Sequence, residues 1–254
     1  NRYCCHRSNA PFTATVTIVV DQTCAALADR LRALAPVFVF TRAGSVLTSP
    51  DTALEELRAA LQQGKTRGPY LLVAASFAGF TALLFAQRHP EETAGLVLVD
   101  SSHPKQSEAT PAALVESDPA VAEIAAFRKF LLGPGPAWDE ACRLLSNLGS
   151  LGDLPLIALA AGQPAMPESL PLSDRTRLVK TWHSLQREHA RRSTVGELRI
   201  LPHSGHAIAA EAPEAVINAV TDLLKRIATK TSSPPPEPLT APAGTAAKIG
   251  REKT

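Results

Sequence analysis

The sequence lacks any apolar run of about 18 residues or more, the length a helix needs to cross a bilayer, so no membrane span is expected. It also lacks a strong excess of charge, since 26 Lys and Arg face 24 Asp and Glu and leave a net charge of +2. That balance provides no basic field for a phosphate backbone, and we expect no nucleic-acid partner. No apolar segment typical of a secretory signal peptide stands at the start, which favours a cytoplasmic protein.

Cysteines are few and are poorly spaced for joint chemistry. There are four, and no C-x-x-C pair occurs. Cys4 and Cys5 are adjacent and cannot easily bridge each other, so neither a disulfide framework nor a zinc site is predicted. Cys24 and Cys142 lie in apolar patterns, which predicts small buried side chains.

What the chain does have is a regular alternation of apolar strand patterns and amphipathic helix patterns. The alternation predicts a mostly parallel central sheet with helices on both faces, an α/β fold. Strands are predicted at 13–20, 37–40, 71–75, 96–99, 156–160 and 198–201, and helices at 25–34, 50–64, 77–88, 174–192 and 213–227.

Two stretches interrupt this alternation. Between residues 104 and 151 the strands stop, and two helical patterns are predicted at 119–132 and 138–148, which indicates a helical insertion. From residue 231 to 254 the chain is rich in Pro and Ala and has almost no large apolar residues, which predicts a disordered tail. We therefore predict one domain over residues 1–230, with the insertion inside it.

The most informative stretch is an apolar strand pattern, 71–75, followed at once by Ser76 and a helical pattern. Strand, sharp turn, serine and helix is the layout of a nucleophile elbow, in which the turn holds the serine in a strained conformation clear of the sheet. Residues two before and two after the serine must be small, since strand and helix nearly touch there. The usual pattern is G-x-S-x-G, whereas this chain has Ala74 and Ala78.

The run from Gly68 to Pro104, GPYLLVAASFAGFTALLFAQRHPEETAGLVLVDSSHP, resembles the α/β-hydrolase superfamily. It is most similar to esterase-like members that read G-P-Y-V-L-V-G-H-S-F-G-G and later G-L-V-L-V-D-S-S-H-P. Two further blocks fit in the expected order, at 41–44 and 204–206, so the resemblance covers most of residues 15–226. It implies an α/β-hydrolase fold in which the insertion at 104–151 is a lid over the site.

The resemblance implies that Ser76 is the nucleophile and that His206 is its general base. A hydroxyl is a weak nucleophile until a base takes its proton, and His206 follows the last strand in a Gly-containing loop, in the chain order typical of this fold. His203 is expected at the strand end, and His183 and His189 on a helix surface; His103 is a residue that could border the pocket.

The acid of the triad has more than one candidate. Most relatives carry it in a G-x-x-D pattern after the strand at 156–160, but this chain has Ala165 there. Some relatives take the acid from the end of the preceding strand, which here is Asp100, the preferred candidate. Glu168 and Asp174 on the later loop remain as alternatives.

An oxyanion hole needs two fixed N–H donors. The resemblance assigns one to the backbone of Phe77 and the other to the loop after the first strand, where Gln22 or Thr23 is the candidate. That loop has no glycine, and Asp21 would bring an unfavourable negative charge close to a developing oxyanion.

Two functions from different classes are compatible with these residues. The first is a serine hydrolase that cleaves an ester or similar acyl bond of a small apolar substrate through an acyl-enzyme. It implies no metal and no organic cofactor, and the altered elbow and oxyanion loop predict slow or selective turnover. The second is a non-catalytic homologue that binds a ligand or a protein. The sequence does not specify the substrate or the oligomeric state.

Overall fold

The fold is known from a computed structural model that describes residues 16–42, 49–133 and 135–232. Its centre is a six-stranded sheet with the order β2-β1-β3-β4-β5-β6. The strands are β1 (Thr17–Asp21), β2 (Val37–Phe40), β3 (Tyr70–Ala75), β4 (Thr93–Val99), β5 (Leu156–Ala161) and β6 (Glu197–Leu201). Every neighbouring pair of these strands is parallel, so all six carboxyl ends meet at one edge of the sheet. The predicted α/β class is confirmed.

Helices connect the strands. They are α1 (Ala28–Leu31), α2 (Pro50–Gln63), α3 (Ala78–Arg88), α4 (Gln106–Ala112), α5 (Ala122–Leu131), α6 (Pro136–Ser146), α7 (Leu172–Ala190), α8 (Ile208–Glu211) and α9 (Pro213–Ser232). Two short 3-10 helices cover Gln22–Leu27 and Pro90–Glu92. None of the helices in these described segments is both long and apolar enough to cross a membrane.

Several boundaries differ from the sequence predictions for local reasons. The helix predicted at 25–34 begins instead as the 3-10 helix at Gln22, because the Asp21 side chain accepts a hydrogen bond from the Thr23 N–H and caps it. Helix α4 was not predicted, since its sequence has no apolar period and contains Pro111. Helix α9 continues to Ser232, and the rest of the predicted tail lies outside the described residues.

Two apolar layers cover the sheet, as expected for a parallel sheet. One layer packs helices α1 and α9 against the sheet residues Ile18, Val20, Leu71, Val73, Val97 and Val99. The other packs α2 and α3 against Val19, Phe38, Phe40, Leu72, Ala74, Leu96 and Leu98. The alternation of these two sets along each strand follows from the period-two geometry of strands, and it leaves the carboxyl edge open for a site.

Between β4 and β5 the chain forms the three helices α4, α5 and α6, where an insertion was predicted. Part of it builds its own small core with α7, through Leu114, Ile124, Leu131 and Leu178. Helix α6 packs on α3, where the Trp138 ring stacks on Phe77 with centroids 5.7 Å apart. The insertion therefore touches the first residue after the predicted nucleophile.

Candidate active site

Ser76 occupies a strained turn between β3 and α3. Its φ angle is 51°, in the left-handed region that a non-glycine residue rarely adopts. Two backbone hydrogen bonds hold the turn: the Ser76 N–H donates to the Val99 carbonyl at 3.1 Å, and the Ser102 N–H donates to the Ser76 carbonyl at 3.0 Å. The strained turn predicted at this serine is present, clamped by the chain that leaves β4.

The turn is also crowded at a glycine that the sequence pattern did not single out. Ala74 and Ala78 fit where relatives carry glycine. A side chain at Gly79, by contrast, would overlap the side chain of Ser101. Helix α3 and the chain after β4 therefore approach each other closely at Gly79, where only glycine fits.

A chain of hydrogen bonds joins three predicted residues at the carboxyl edge of the sheet. The His206 Nε2 lies 3.1 Å from the Ser76 Oγ, and the His206 Nδ1 lies 2.7 Å from the Asp100 Oδ2. The imidazole is 56% exposed, whereas the carboxylate is 2% exposed. A serine, a base and an orienting carboxylate in this order form the arrangement of a catalytic triad.

Asp100 is itself held in a strained conformation, with a φ angle of 44°. Its N–H donates to the Leu159 carbonyl at 2.8 Å, which places its side chain between β4 and β5. The Asp100 Oδ1 accepts hydrogen bonds from the Ala161 N–H at 2.9 Å and from the Trp182 indole Nε1–H at 2.7 Å. Sequence reasoning missed Trp182, since no motif or spacing connects it to the site.

The two alternative acids lie elsewhere. Asp174 is fully buried near the start of α7, where it accepts hydrogen bonds from Ser117, Arg177 and the backbone N–H of Glu116. Burial opposes its ionisation, but these donors outweigh burial and lower the pKa of Asp174 to about 2. Glu168 is exposed. Of the three candidate carboxylates, the structure brings only Asp100 to His206.

The electrostatics around His206 favour its protonated form. The hydrogen bond to Asp100 raises the pKa of His206 above its ordinary value, burial opposes the rise, and the carboxylate of Glu211 adds to it. Glu211 lies in α8 and accepts a hydrogen bond from the Gly205 N–H at 2.5 Å, just before the histidine. The loop that carries His206 is therefore tied to α8.

The candidate oxyanion donors differ in availability. The Phe77 N–H donates to no acceptor among the described residues. Gln22 is the first residue of its 3-10 helix, and the first N–H groups of a helix have no partner within it. The Thr23 N–H donates to the Asp21 Oδ1 at 2.6 Å and is committed there.

Asp21 connects the two sides of this region. Its Oδ1 accepts from Thr23, and its Oδ2 accepts from the Ala75 N–H at 2.7 Å, one residue before the serine. The residue is 8% exposed, and burial raises the pKa of Asp21 while the backbone hydrogen bonds oppose the rise. The Asp21 carboxylate thus joins the loop after β1 to the turn that carries Ser76.

A cavity of about 270 Å³ opens beside Ser76. It runs into the layer between the sheet and the helices α2 and α3, so most of its wall is apolar. The wall residues are Val19, Phe40, Leu57, Leu72, Val73, Ala74, Ala75, Phe77, Ala78 and Ala82, and the polar ones are Asp21, Gln22, Thr23, Arg42, Ser76, Thr81 and His206. A mostly apolar cavity with a few polar groups is typical of a small-molecule site.

The other histidines are not all where the sequence suggested. His189 is fully buried rather than on a helix surface, because the inner face of α7 packs over the loop that follows β4. His103 is buried beside it, with ring centroids 4.5 Å apart, and does not line the cavity. Burial lowers the pKa of each to about 3, so both rings are neutral. His203 is exposed, and His183 is half-buried and lies 3.0 Å from the Ala161 carbonyl.

In the described part of the chain, one group of three side chains has metal-ligand spacing. It consists of His89, Glu91 and Glu92 just beyond the far end of α3. The Arg58 guanidinium lies against His89 and 3.6 Å from Glu92, so a protein cation already occupies this cluster.

The parallel sheet, the elbow and the Ser–His–Asp arrangement define the class of protein. Residues 17–219 match the model of the alpha/beta hydrolase family, and the chain belongs to that family.

Individual relatives are distant. A curated relative, the uncharacterized protein YbdG of Bacillus subtilis, is 36% identical over 56 residues, which is 22% of this chain and only 17% of YbdG. Among solved structures, a carboxylesterase of Nitrososphaera gargenis superposes with a TM-score of 0.54 at 15% identity, covering 90% of this chain and 95% of that one. A thermophilic esterase of Thermogutta terrifontis gives 0.52 at 16% identity, covering 89% and 99%. At these identities the likeness shows the fold.

Proposed function

We propose that this protein is a serine hydrolase that cleaves an ester or similar acyl bond through an acyl-enzyme. The observation that carries the proposal is the unbroken chain of hydrogen bonds from Asp100 through His206 to Ser76. The cofactor-free chemistry of such a triad requires only these side chains and two N–H donors.

In the first half of the reaction, the Ser76 Oγ attacks the carbonyl carbon while His206 Nε2 takes the hydroxyl proton. The buried Asp100 carboxylate holds the His206 Nδ1–H and stabilises the imidazolium without accepting its proton. The tetrahedral intermediate then expels the alcohol, which leaves with the proton carried by His206. An acyl group remains on Ser76.

In the second half, water repeats the attack on the acyl-enzyme. His206 takes a proton from the water, the new tetrahedral intermediate collapses, and the proton returns to Ser76 as the acid leaves. Because both halves need a neutral imidazole, and because Asp100 raises the pKa of His206, we expect activity to appear as pH rises through that pKa.

The negative charge of each intermediate requires an oxyanion hole, which we assign to the N–H groups of Phe77 and Gln22. Both lie at the wall of the cavity beside Ser76. Thr23, the other residue that the sequence suggested, is the weaker candidate since its N–H already donates to Asp21. A loop without glycine restricts how the Gln22 N–H turns toward the charge, which supports a slow or selective enzyme.

The apolar cavity supports a substrate whose acyl group is apolar. Its volume of about 270 Å³ leaves room for an acyl chain beyond the carbonyl carbon. We propose that α4 to α6 act as a lid over this site, because Trp138 of α6 contacts Phe77.

The direct test is capture of the acyl-enzyme. The protein is mixed with p-nitrophenyl butyrate and quenched in acid within one turnover, and the intact mass is measured. We expect a mass increase equal to one butyryl group, located on Ser76 by peptide mapping. Ser76→Ala should lose this adduct, whereas Ser184→Ala, a change on the exposed face of α7, should keep it. No adduct and no nitrophenol release with esters of two to eight acyl carbons would instead favour a non-catalytic binding protein.

A further inference from the structure

The Asp100 carboxylate receives three hydrogen bonds, and they divide its two oxygens unequally. Oδ2 faces the His206 Nδ1 at 2.7 Å. Oδ1 faces away and accepts from the Trp182 indole at 2.7 Å and from the Ala161 N–H at 2.9 Å. The backbone donor is fixed by the sheet, so the indole is the only side chain besides His206 that donates to this carboxylate in the described structure.

We propose that Trp182 is a positioning residue of the site, whose indole N–H holds the Asp100 carboxylate in the orientation that presents Oδ2 to His206. The catalytic role of Trp182 rests on the proposed function, whereas its hydrogen bond to Asp100 does not. Two donors that converge on one oxygen fix both the rotation of the carboxylate and which oxygen faces the imidazole. A single donor from Ala161 would leave the carboxylate freer to rotate.

The indole N–H also stabilises the negative charge of the Asp100 carboxylate. A hydrogen bond donated to an ionised carboxylate stabilises the charged form. A carboxylate stabilised in this way attracts the imidazolium of His206 less strongly. Removing the indole N–H should therefore make His206 a stronger base and move the onset of activity to higher pH.

The other charged and titratable groups near Asp100 and His206 do not change when the Trp182 indole is removed, so the effect of the indole on the proton affinity of His206 can be measured separately. Glu211 faces His206 from α8 and is untouched by changes in α7. His183, next to Trp182 on α7, reaches only the Ala161 carbonyl, at 3.0 Å. A simple packing role for the indole would change stability but leave the proton affinity of His206 as it was.

The test is an NMR titration of the His206 ring in the wild type and in Trp182→Phe, which keeps an aromatic ring but lacks the N–H. We expect the proton affinity of His206 to rise about threefold in the variant, the size of effect of a weak neighbouring hydrogen bond. The acid limb of kcat/KM should move to higher pH by the same factor, with kcat lowered and KM little changed. The control is Trp138→Phe. The wild-type Trp138 indole donates to Ser107 at 2.5 Å, so its loss should leave the His206 titration unchanged.

An unchanged or lowered proton affinity of His206 in Trp182→Phe would overturn the proposal. The NMR measurement requires no turnover, so it remains decisive even if the protein proves not to be a hydrolase. Failure of the proposed function would appear separately, as the absence of an acyl adduct on Ser76.

Discussion

Asp100→Asn is the substitution whose effect the structure defines most closely. The asparagine side chain has one oxygen acceptor and one NH2 donor. In the wild type, two donors, Trp182 Nε1–H and Ala161 N–H, point at Oδ1. The asparagine oxygen must therefore take that place, and its NH2 group must face His206. The His206 Nδ1 then accepts a hydrogen bond, so Nε2 carries the proton and cannot act as a base.

The size of the loss follows from this reversed imidazole. A triad with an inverted tautomer loses about 10⁴-fold in kcat, which corresponds to about 5.4 kcal/mol of transition-state stabilisation. Fold and substrate affinity should survive, because the amide replaces the carboxylate in shape. The expected pattern is thus a large fall in kcat with a nearly unchanged KM.

The assay is nitrophenol release from p-nitrophenyl butyrate, together with thermal unfolding to verify the fold. Glu168→Gln and Asp174→Asn, the two alternative acids, serve as matched controls. Asp174→Asn should lower stability, because the carboxylate that it removes accepts several hydrogen bonds, yet spare the chemical step. Activity of Asp100→Asn within tenfold of the wild type, or a far larger loss in either control, would refute the assignment of the acid.

Three further outcomes are expected. In the wild type, kcat/KM should rise about fourfold for each methylene added to the acyl chain, at about 0.8 kcal/mol each. Ala82→Leu should fill part of the cavity and remove this preference for longer chains. A series of esters with different acyl lengths measures the preference, and a series unaltered by the substitution contradicts the acyl pocket. Asp21→Asn leaves one of the two backbone N–H partners of Asp21 without an acceptor, so kcat should fall on the order of 10- to 100-fold while KM stays unchanged. A change in KM alone would count against a role of Asp21 at the oxyanion hole. Burial lowers the pKa values of His103 and His189 from 6.5 to about 3, so below pH 6.5 the unfolded chain binds protons that the folded chain does not. The free energy of unfolding should therefore fall as pH drops below 6.5, by about 1.4 kcal/mol per pH unit for each ring. Urea unfolding at several pH values measures this fall, which His189→Gln should reduce and the exposed His203→Gln should not.

The sequence was sufficient to predict the elements and residues that are set by local patterns. Apolar runs and their helices located the strands, and strand ends located Ser76, Asp100 and His206, since carboxyl ends of parallel strands meet at one edge. The elbow was identifiable even with Ala74 and Ala78 two residues before and after the serine.

The sequence could not reveal contacts between distant elements. Trp182 lies 82 residues from Asp100, and its helical pattern does not indicate which face packs over the site. His189 looked like a surface residue for the same reason. The pattern at the elbow did not indicate the close approach at Gly79, because its neighbour Ser101 is brought there only by the fold.

The proposed function requires that His206 and Asp100 make Ser76 a reactive nucleophile. The most direct measurement is covalent labelling with a fluorophosphonate probe, followed by peptide mapping, because it requires no knowledge of the substrate. We predict one label per chain on Ser76, lost in Ser76→Ala and strongly slowed in His206→Gln. An unlabelled protein, or labelling of Ser76→Ala at the wild-type rate, would show that Ser76 is not an activated nucleophile.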